Sequence, residues 1–237
     1  MRPTLCRILT LCGINFLVSP PIPAQTAPAA ATTAPAAIQP HDFSKWEKEI
    51  AAYEQKDREN PPTRGGIVFI GSSTIRGWKT LEHDFPKHAI INRGFGGSQI
   101  VDSTHFAPRV IFPYAPKQVF LRAGGNDIHE GKSADQVFAD FQTFARTVRE
   151  RLPEAEVVFI SLSPAPARWA ERDANRALNE KVKAYCEATR GMKFVDTYDM
   201  TLTSDGKPRE ELFVADKLHF NAHGYKLLAE RVRPLLR

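Results

Sequence analysis

Four separated groups of residues in this 237-residue chain carry the side chains that nucleophilic catalysis by a serine requires. Ser72 and Ser73 supply hydroxyls, and Asp216 stands three residues before His219. In a turn or a first helical round this spacing puts both side chains on one side, so the carboxylate can hold Nδ1–H while Nε2 faces a hydroxyl. Asn126, which follows two glycines, offers an amide donor. The chemistry expected of this set is acyl transfer with a stabilised oxyanion.

A glycine-rich run at positions 94, 96 and 97 is a second source of donors, because a backbone without Cβ lets N–H groups turn inward. The same run could instead serve dinucleotide binding. That alternative is poorly met, since the dinucleotide fingerprint places its third glycine further on. It also has an acidic residue after the next strand, and residues 118–123 offer none.

Each group taken alone has an ordinary structural explanation. Asp-x-x-His pairs often satisfy each other at a surface, and Asn126 with the aspartate after it is typical of a turn that ends a strand. His219 and His223 have the spacing of zinc-protease ligands, but Phe220 stands where those enzymes carry a glutamate, so no metal site is predicted. The Gly-x-Ser-x-Gly elbow of α/β-hydrolases is also unmet, because Ile75 occupies its last position.

Short apolar runs that end in glycine or polar residues predict the strands that position these groups. Five are expected, within residues 67–71, 89–92, 118–123, 156–162 and 192–196. Helical periodicity predicts helices over residues 42–58, 78–85, 99–111, 137–152 and 173–189, and a last helix that carries residues 225–235. Strands alternating with helices imply a parallel sheet with helices on both faces, whose ligands bind outside the carboxyl ends of the strands.

The N-terminal region has the layout of a secretory signal peptide. Arg2 and Arg7 precede an apolar run over residues 8–18, prolines follow, and cleavage is expected after Ala24. Residues 25–41 are rich in proline, alanine and threonine and predict a flexible linker, and residues 42–237 are expected to fold as one domain. Removal of the leader leaves Cys186 as the one cysteine, so no intramolecular disulfide is expected.

Charge and hydropathy narrow the possible partners. Without the first forty residues, which hold Arg2 and Arg7 and no acid, the formal net charge falls from +5 to +3. This surplus is slight and no block of Lys or Arg is present, so nucleic acid is not an expected partner. The apolar run of the leader is too short to span a bilayer as a mature helix. We therefore expect a secreted or periplasmic protein without a stable membrane anchor once the leader is removed.

In their order along the chain, the four groups resemble the four sequence blocks of the SGNH hydrolases, also called the GDSL lipase and esterase family. The blocks here are residues 71–73, 92–97, 124–127 and 216–219, and the resemblance covers roughly residues 66–237. It implies a three-layer α/β/α fold with a doubly wound, five-stranded parallel sheet of the flavodoxin-like type. The chain departs from the family pattern at Ser72, which replaces the usual aspartate.

By position in these blocks, the resemblance implies that Ser73 is the nucleophile, His219 the general base and Asp216 the acid that orients it. The implied oxyanion donors are the N–H groups of Ser73 and Gly97 and the side-chain amide of Asn126. No metal or cofactor is implied.

The resemblance leaves the substrate open, because the family acts on acetylated carbohydrates, simple short-chain esters, lysophospholipids and thioesters. We expect a small-molecule or glycan ester, with Arg168, Trp169 and His129 as candidate substrate-binding residues. Three other functions remain: a lysophospholipase or thioesterase, an acyltransferase, and a carbohydrate-binding module without turnover. The substitution at Ser72 is the one feature that favours the binding module.

Overall fold

Five strands form one parallel sheet in the computed structural model of the chain, which describes residues 41–237. The predicted leader and the predicted linker up to residue 40 lie outside the described residues. The strands are β1 (Ile67–Gly71), β2 (Ile90–Gly94), β3 (Gln118–Arg122), β4 (Glu156–Ile160) and β5 (Met192–Val195). Their order is β2-β1-β3-β4-β5, and every neighbouring pair is parallel. The predicted sheet is confirmed.

Within the same residues, eight α-helices connect and flank the strands. They are α1 (Glu47–Glu59), α2 (Ser73–Gly77), α3 (Leu81–Asp84), α4 (Ile100–Val110), α5 (Gly125–His129), α6 (Ala134–Arg151), α7 (Arg172–Ala188) and α8 (Ala222–Val232). The helix expected over residues 78–85 is shorter than predicted, and the short helices α2 and α5 were not predicted. No helix in the described part of the chain is long and apolar enough to cross a membrane.

Local sequence explains where the longest helix begins. The Ser133 hydroxyl accepts a hydrogen bond from the Gln136 N–H at 3.2 Å, and Gln136 Oε1 accepts one from the Ser133 N–H at 2.8 Å. This reciprocal cap satisfies two donors that the first turn of α6 cannot pair internally. The apolar face of α6, which includes Phe141 and Phe144, is fully buried against the sheet side of the molecule.

Side chains alternate between the two faces of each strand, so the sheet separates two apolar layers. On one face Val68 and Val119 belong to a core built with α1, α4, α6 and α7. On the other face Phe69 and Phe120 belong to a core built with α2, α3 and α8, and their rings stack with centroids 4.5 Å apart. The three-layer, doubly wound architecture is the fold class predicted from the sequence.

The sheet contains one point where the strand order reverses. The chain leaves β1 outward to β2 and then returns past β1 to β3. Loops that leave neighbouring strands in opposite directions open a crevice at their carboxyl ends, which is where ligands bind in such sheets. The segments that follow β1, β2 and β3 carry Ser73, Gly97 and Asn126.

Candidate active site

The turn after β1 brings two serines to the carboxyl end of the central strand. Gly71 has φ +141°, and a Cβ there would lie 2.1 Å from the carbonyl oxygen of Arg122, so only glycine fits. Ser72 then donates its N–H to that same carbonyl at 3.1 Å. Ser73 follows as the first residue of α2, where the N–H groups have no partner within the helix. Ser73 therefore presents both a hydroxyl and an unpaired helix N–H.

Two side chains from distant elements hold α2 in place. Asn92 on β2 donates its amide to the carbonyl of Ile75 at 2.7 Å, and Tyr225 on α8 donates its hydroxyl to the carbonyl of Thr74 at 3.0 Å. Burial raises the pKa of Tyr225 to about 12, so the phenol keeps the proton that it donates. A helix of five residues is thus positioned by tertiary contacts.

The loop after β2 supplies a backbone donor. The Phe95 N–H donates to the carbonyl of Gly71 at 2.9 Å, which anchors this loop beside the serine turn. Gly97 has φ +80°, and within residues 41–237 its N–H donates to no backbone carbonyl. Gly97 also lines the cavity described below, so its N–H is a candidate donor there.

Asn126 lies on α5, and its amide is bonded at both ends. Nδ2 donates to the carbonyl of Ser98 at 3.0 Å, and Oδ1 accepts from Arg168 Nη1 at 3.0 Å. The helix itself is tied to its neighbour by Asp127, whose carboxylate accepts the Ile100 N–H at 3.3 Å. Burial raises the pKa of Asp127. One of the two Nδ2 hydrogens of Asn126 remains for a ligand.

Asp216 and His219 lie in a turn before α8 and are bonded to each other. Oδ1 of Asp216 accepts the N–H groups of Leu218 and His219, both at 2.9 Å, and Oδ2 lies 2.6 Å from Nδ1 of His219. The backbone bond from His219, and then the bonds from its imidazole and from Leu218, lower the pKa of Asp216 to about 2. A carboxylate can only accept, so Nδ1 carries a hydrogen and the Nε2 lone pair is free.

One cavity of about 290 Å³ joins these groups. It is lined by Ser72, Ser73, Gly97, Asn126 and His219, and Asp216 reaches it through His219. Within residues 41–237 the one side-chain hydrogen bond of His219 is to Asp216, so neither serine hydroxyl is bonded to the imidazole. The residues predicted at the catalytic centre thus surround one space without a preformed serine–histidine bond.

The cavity has a cationic lining. Arg122 is buried and donates to Thr197 Oγ1 and Ser163 Oγ, both at 3.3 Å, and to the carbonyl of Ser161. No carboxylate in the described part of the chain pairs with it. Burial lowers the pKa of Arg122 to about 10, which still leaves it charged at neutral pH. The positive charge of Arg122 in the lining stabilises negative charge that develops inside the cavity.

Of the three residues predicted to bind substrate, one lines the cavity and two do not. Arg168 lines the cavity, whereas Trp169 and His129 are not part of its lining, and their contact with substrate remains a prediction. The Trp169 ring lies under the Arg172 guanidinium. Nδ1 of His129 lies 2.6 Å from Oε1 of Glu171, which does line the cavity.

The lining residues that were not predicted include the polar side chains of Arg76, Glu171 and Asn175. Oε2 of Glu171 and Oδ1 of Asn175 are buried and have no hydrogen-bond donor within residues 41–237. Neither lies in one of the four sequence blocks, and polar residues at the start of a helix carry no signal that distinguishes them from surface positions.

A wider depression of about 1050 Å³ lies at the amino ends of β4 and β5, away from these groups. Its lining includes Cys186, and burial raises the pKa of that thiol to about 12. A thiol that stays protonated is a poor nucleophile. The smaller cavity at the strand carboxyl ends is therefore the candidate active site.

Comparison with known proteins agrees with this fold. Residues 69–227 match the sequence model of the GDSL-like Lipase/Acylhydrolase family. Platelet-activating factor acetylhydrolase IB subunit alpha1 of Bos taurus is 30% identical over 196 residues, which are 77% of this chain and 78% of that protein. A structure from Streptococcus pneumonia, described as a platelet activating factor, has a TM-score of 0.73 at 20% identity and covers 82% of this chain and 94% of that chain. A catalytic mutant of an acetylxylan esterase from Geobacillus stearothermophilus has a TM-score of 0.55 at 16% identity, over 72% of this chain and 94% of that chain.

Proposed function

The chain belongs to the GDSL-like lipase/acylhydrolase family, and from that premise we propose that it is a secreted serine carboxylic ester hydrolase acting on short O-acyl groups. One observation carries the proposal. Ser73, Gly97, Asn126 and His219 line one cavity at the carboxyl ends of the strands, and Asp216 is bonded to Nδ1 of His219. This is the set of groups that acyl transfer through a serine requires.

In the first half-reaction, the Ser73 hydroxyl oxygen forms a bond to the ester carbonyl carbon while its proton moves to Nε2 of His219. The carbonyl oxygen becomes an oxyanion, which accepts hydrogen bonds from the N–H groups of Ser73 and Gly97 and from Nδ2 of Asn126. The intermediate then collapses, the bond to the alcohol oxygen breaks, and His219 returns its proton to that oxygen. The alcohol departs and an acyl-enzyme remains.

In the second half-reaction, a water loses a proton to Nε2 of His219 as its oxygen bonds to the acyl carbon. The same donors hold the second oxyanion. Collapse then breaks the bond to the Ser73 oxygen, which takes the proton from His219, and the carboxylic acid leaves. Throughout both steps Asp216 accepts a hydrogen bond from the Nδ1–H of His219 and so stabilises the imidazolium that forms.

The size and lining of the cavity support a short acyl group on a hydroxyl-rich alcohol. A volume of about 290 Å³ is at the small end for ligand sites. The unpaired oxygens of Glu171 and Asn175 need donors, and the hydroxyls of a sugar would supply them. A relative that is 30% identical is named an acetylhydrolase, which is consistent with a short acyl group.

A fluorophosphonate probe tests the nucleophile. We expect intact-mass labelling of the wild type and of Ser72→Ala, and none of Ser73→Ala. Both serines line the cavity, so Ser72→Ala is the matched control. Labelling that persists in Ser73→Ala and disappears in Ser72→Ala would reverse the assignment. A folded wild type without labelling would instead indicate a binding module.

The substrate is tested with acetyl, butyryl and octanoyl esters of one alcohol, with acetylated xylo-oligosaccharides, and with a lysophospholipid. We expect turnover to fall with acyl length and to be highest on an acetylated sugar, with all turnover lost in Ser73→Ala. A preference for octanoyl or for the lysophospholipid would contradict the proposed substrate class.

Secretion is tested by expressing the full chain in a Gram-negative host and measuring the mass of the product. We expect a periplasmic protein that begins at Gln25. A full-length protein confined to the cytosol would contradict this part of the proposal.

A further inference from the structure

The Asn126 amide is held in one orientation by contacts that lie outside the four sequence blocks. Its Nδ2 donates to the Ser98 carbonyl at 3.0 Å, and its Oδ1 accepts from Arg168 Nη1 at 3.0 Å. Turning the amide over would set its two donors against the guanidinium and its oxygen against the Ser98 carbonyl. Both contacts would then become repulsive. Only one of the two amide orientations therefore fits this site.

We infer that Arg168 is a positioning residue for catalysis, which orients and polarises the Asn126 amide so that its free N–H serves the oxyanion. The inference rests on the function proposed above. A charged donor on Oδ1 draws electron density from the amide and strengthens its N–H as a donor. Without it, the amide can turn and present its oxygen to a developing negative charge.

Arg168 is itself fixed from two sides. Its Nη1 also donates to the carbonyl of Gly125 at 3.2 Å, which places the guanidinium against the start of α5. Its backbone N–H donates to the carbonyl of Ala165 at 3.0 Å, and the next N–H upstream, that of Ala167, donates to the carbonyl of Lys217 at 3.0 Å. Lys217 lies between Asp216 and His219. The segment that carries Arg168 therefore joins the oxyanion side of the site to the turn that carries the base.

The charge of Arg168 is not neutralised locally. Within residues 41–237 no carboxylate forms an ion pair with it, and both of its side-chain acceptors are amide or peptide oxygens. Because no carboxylate offsets it, this positive charge polarises the neutral Asn126 amide that it contacts. The alternative is that Arg168 binds the substrate directly. In that case the loss of activity in Arg168→Ala would be the same whether or not Asn126 is present.

A double-mutant cycle separates the two. We expect Arg168→Ala to lower kcat about tenfold with KM changed less than twofold, because the oxyanion hydrogen bond is weakened in the transition state. Asn126→Ala should lower kcat about a hundredfold. In the Asn126→Ala background, Arg168→Ala should change kcat by less than twofold. Millimolar guanidinium should restore activity to Arg168→Ala and not to the double variant.

The neighbouring Arg172→Ala variant is the matched control, because it removes the same charge from the same segment and Arg172 donates to the Trp169 carbonyl, away from Asn126. Melting temperatures show which variants fold, and Arg168→Lys, which keeps the charge with a single donor group, replaces Arg168→Ala if that variant unfolds. A tenfold loss that persists in the Asn126→Ala background, or an effect on KM alone, overturns the inference. An unchanged kcat in Asn126→Ala would show that Asn126 is not an oxyanion donor, and the inference about Arg168 would then fail as well. Turnover that survives Ser73→Ala refutes the proposed function instead.

Discussion

Replacing Asp216 by asparagine tests how His219, the proposed base, is oriented. The substitution keeps Oδ1, which accepts the N–H groups of Leu218 and His219, so the turn is expected to survive. It replaces Oδ2, the acceptor 2.6 Å from Nδ1 of His219, by an amide that can only donate. Nδ1 must then become an acceptor or turn to water. In the first case the proton sits on Nε2, where the base is needed.

The expected magnitude follows from the exposure of the pair. A hydrogen bond to a charged group contributes about 1.5–3 kcal/mol, which is about 10- to 150-fold in rate. Here the side chain of Asp216 is 49% exposed and that of His219 is 39% exposed, so water screens the charge and can replace part of the contact. We therefore expect Asp216→Asn to lower kcat/KM about 10- to 50-fold. His219→Ala removes the base altogether and should cost about a thousandfold or more.

A pH profile tests whether the Asp216 carboxylate stays ionised over the range of activity. The pKa of Asp216 is about 2, so its carboxylate stays charged above about pH 3 and contributes no step to the profile there. The measurement is steady-state hydrolysis of one acetyl ester from pH 4 to 9 for the wild type and both variants.

Asp216→Ala is the control that also removes the two backbone contacts. It should lose both activity and melting temperature, whereas Asp216→Asn should lose activity with little change in melting temperature. The reasoning fails if Asp216→Asn is more damaging than His219→Ala.

Two further predictions address the oxyanion donors and the turn after β1. Asn126→Ala should lower kcat about a hundredfold or more in ester hydrolysis without changing the urea midpoint, and unchanged turnover would mean that Asn126 only supports the chain at the end of β3. Gly71→Ala should unfold the protein or cost well above 2 kcal/mol in urea titration, because its Cβ would lie 2.1 Å from the Arg122 carbonyl oxygen at φ +141°. Gly97→Ala, at φ +80° with nothing within 4 Å, should cost only about 1–2 kcal/mol, so equal losses at the two glycines would contradict the steric account.

The strands were predictable because each contains a short apolar run bounded by glycine or polar residues. β1, β3 and β4 are buried along their whole length, and such runs in alternation with amphipathic helices indicate a parallel sheet. The helices α2 and α5 were not predictable by the same means. Each is five residues long, far shorter than the roughly 11–18 residues over which helical periodicity can be recognised. Helices this short are not stable by intrinsic propensity, and tertiary contacts, such as those of Asn92 and Tyr225 with α2, stabilise them instead.

The candidate site also contains a part that could be predicted from the sequence and a part that could not. Strand-end blocks could be predicted to meet, because parallel strands bring their carboxyl ends to one edge, and Ser73, Gly97 and Asn126 do line one cavity. The contact of Arg168 with Asn126 could not, since it depends on the conformation of an irregular segment 42 residues further along the chain. The burial of Arg122 without a carboxylate partner was not predictable either, because its hydrogen-bond acceptors come from two separate segments, one after β4 and one after β5.

The choice between the two serines follows from how the backbone around them is used. Ser72 donates its N–H to the Arg122 carbonyl, and its own carbonyl accepts the N–H groups of Ile75 and Arg76, so its backbone is committed to building the turn. Ser73 comes one residue later, at the start of α2, where the N–H has no partner within the helix. A nucleophile whose own N–H is free can hold the oxyanion that its hydroxyl creates, because both groups then face the same carbonyl carbon. This favours Ser73 as the nucleophile.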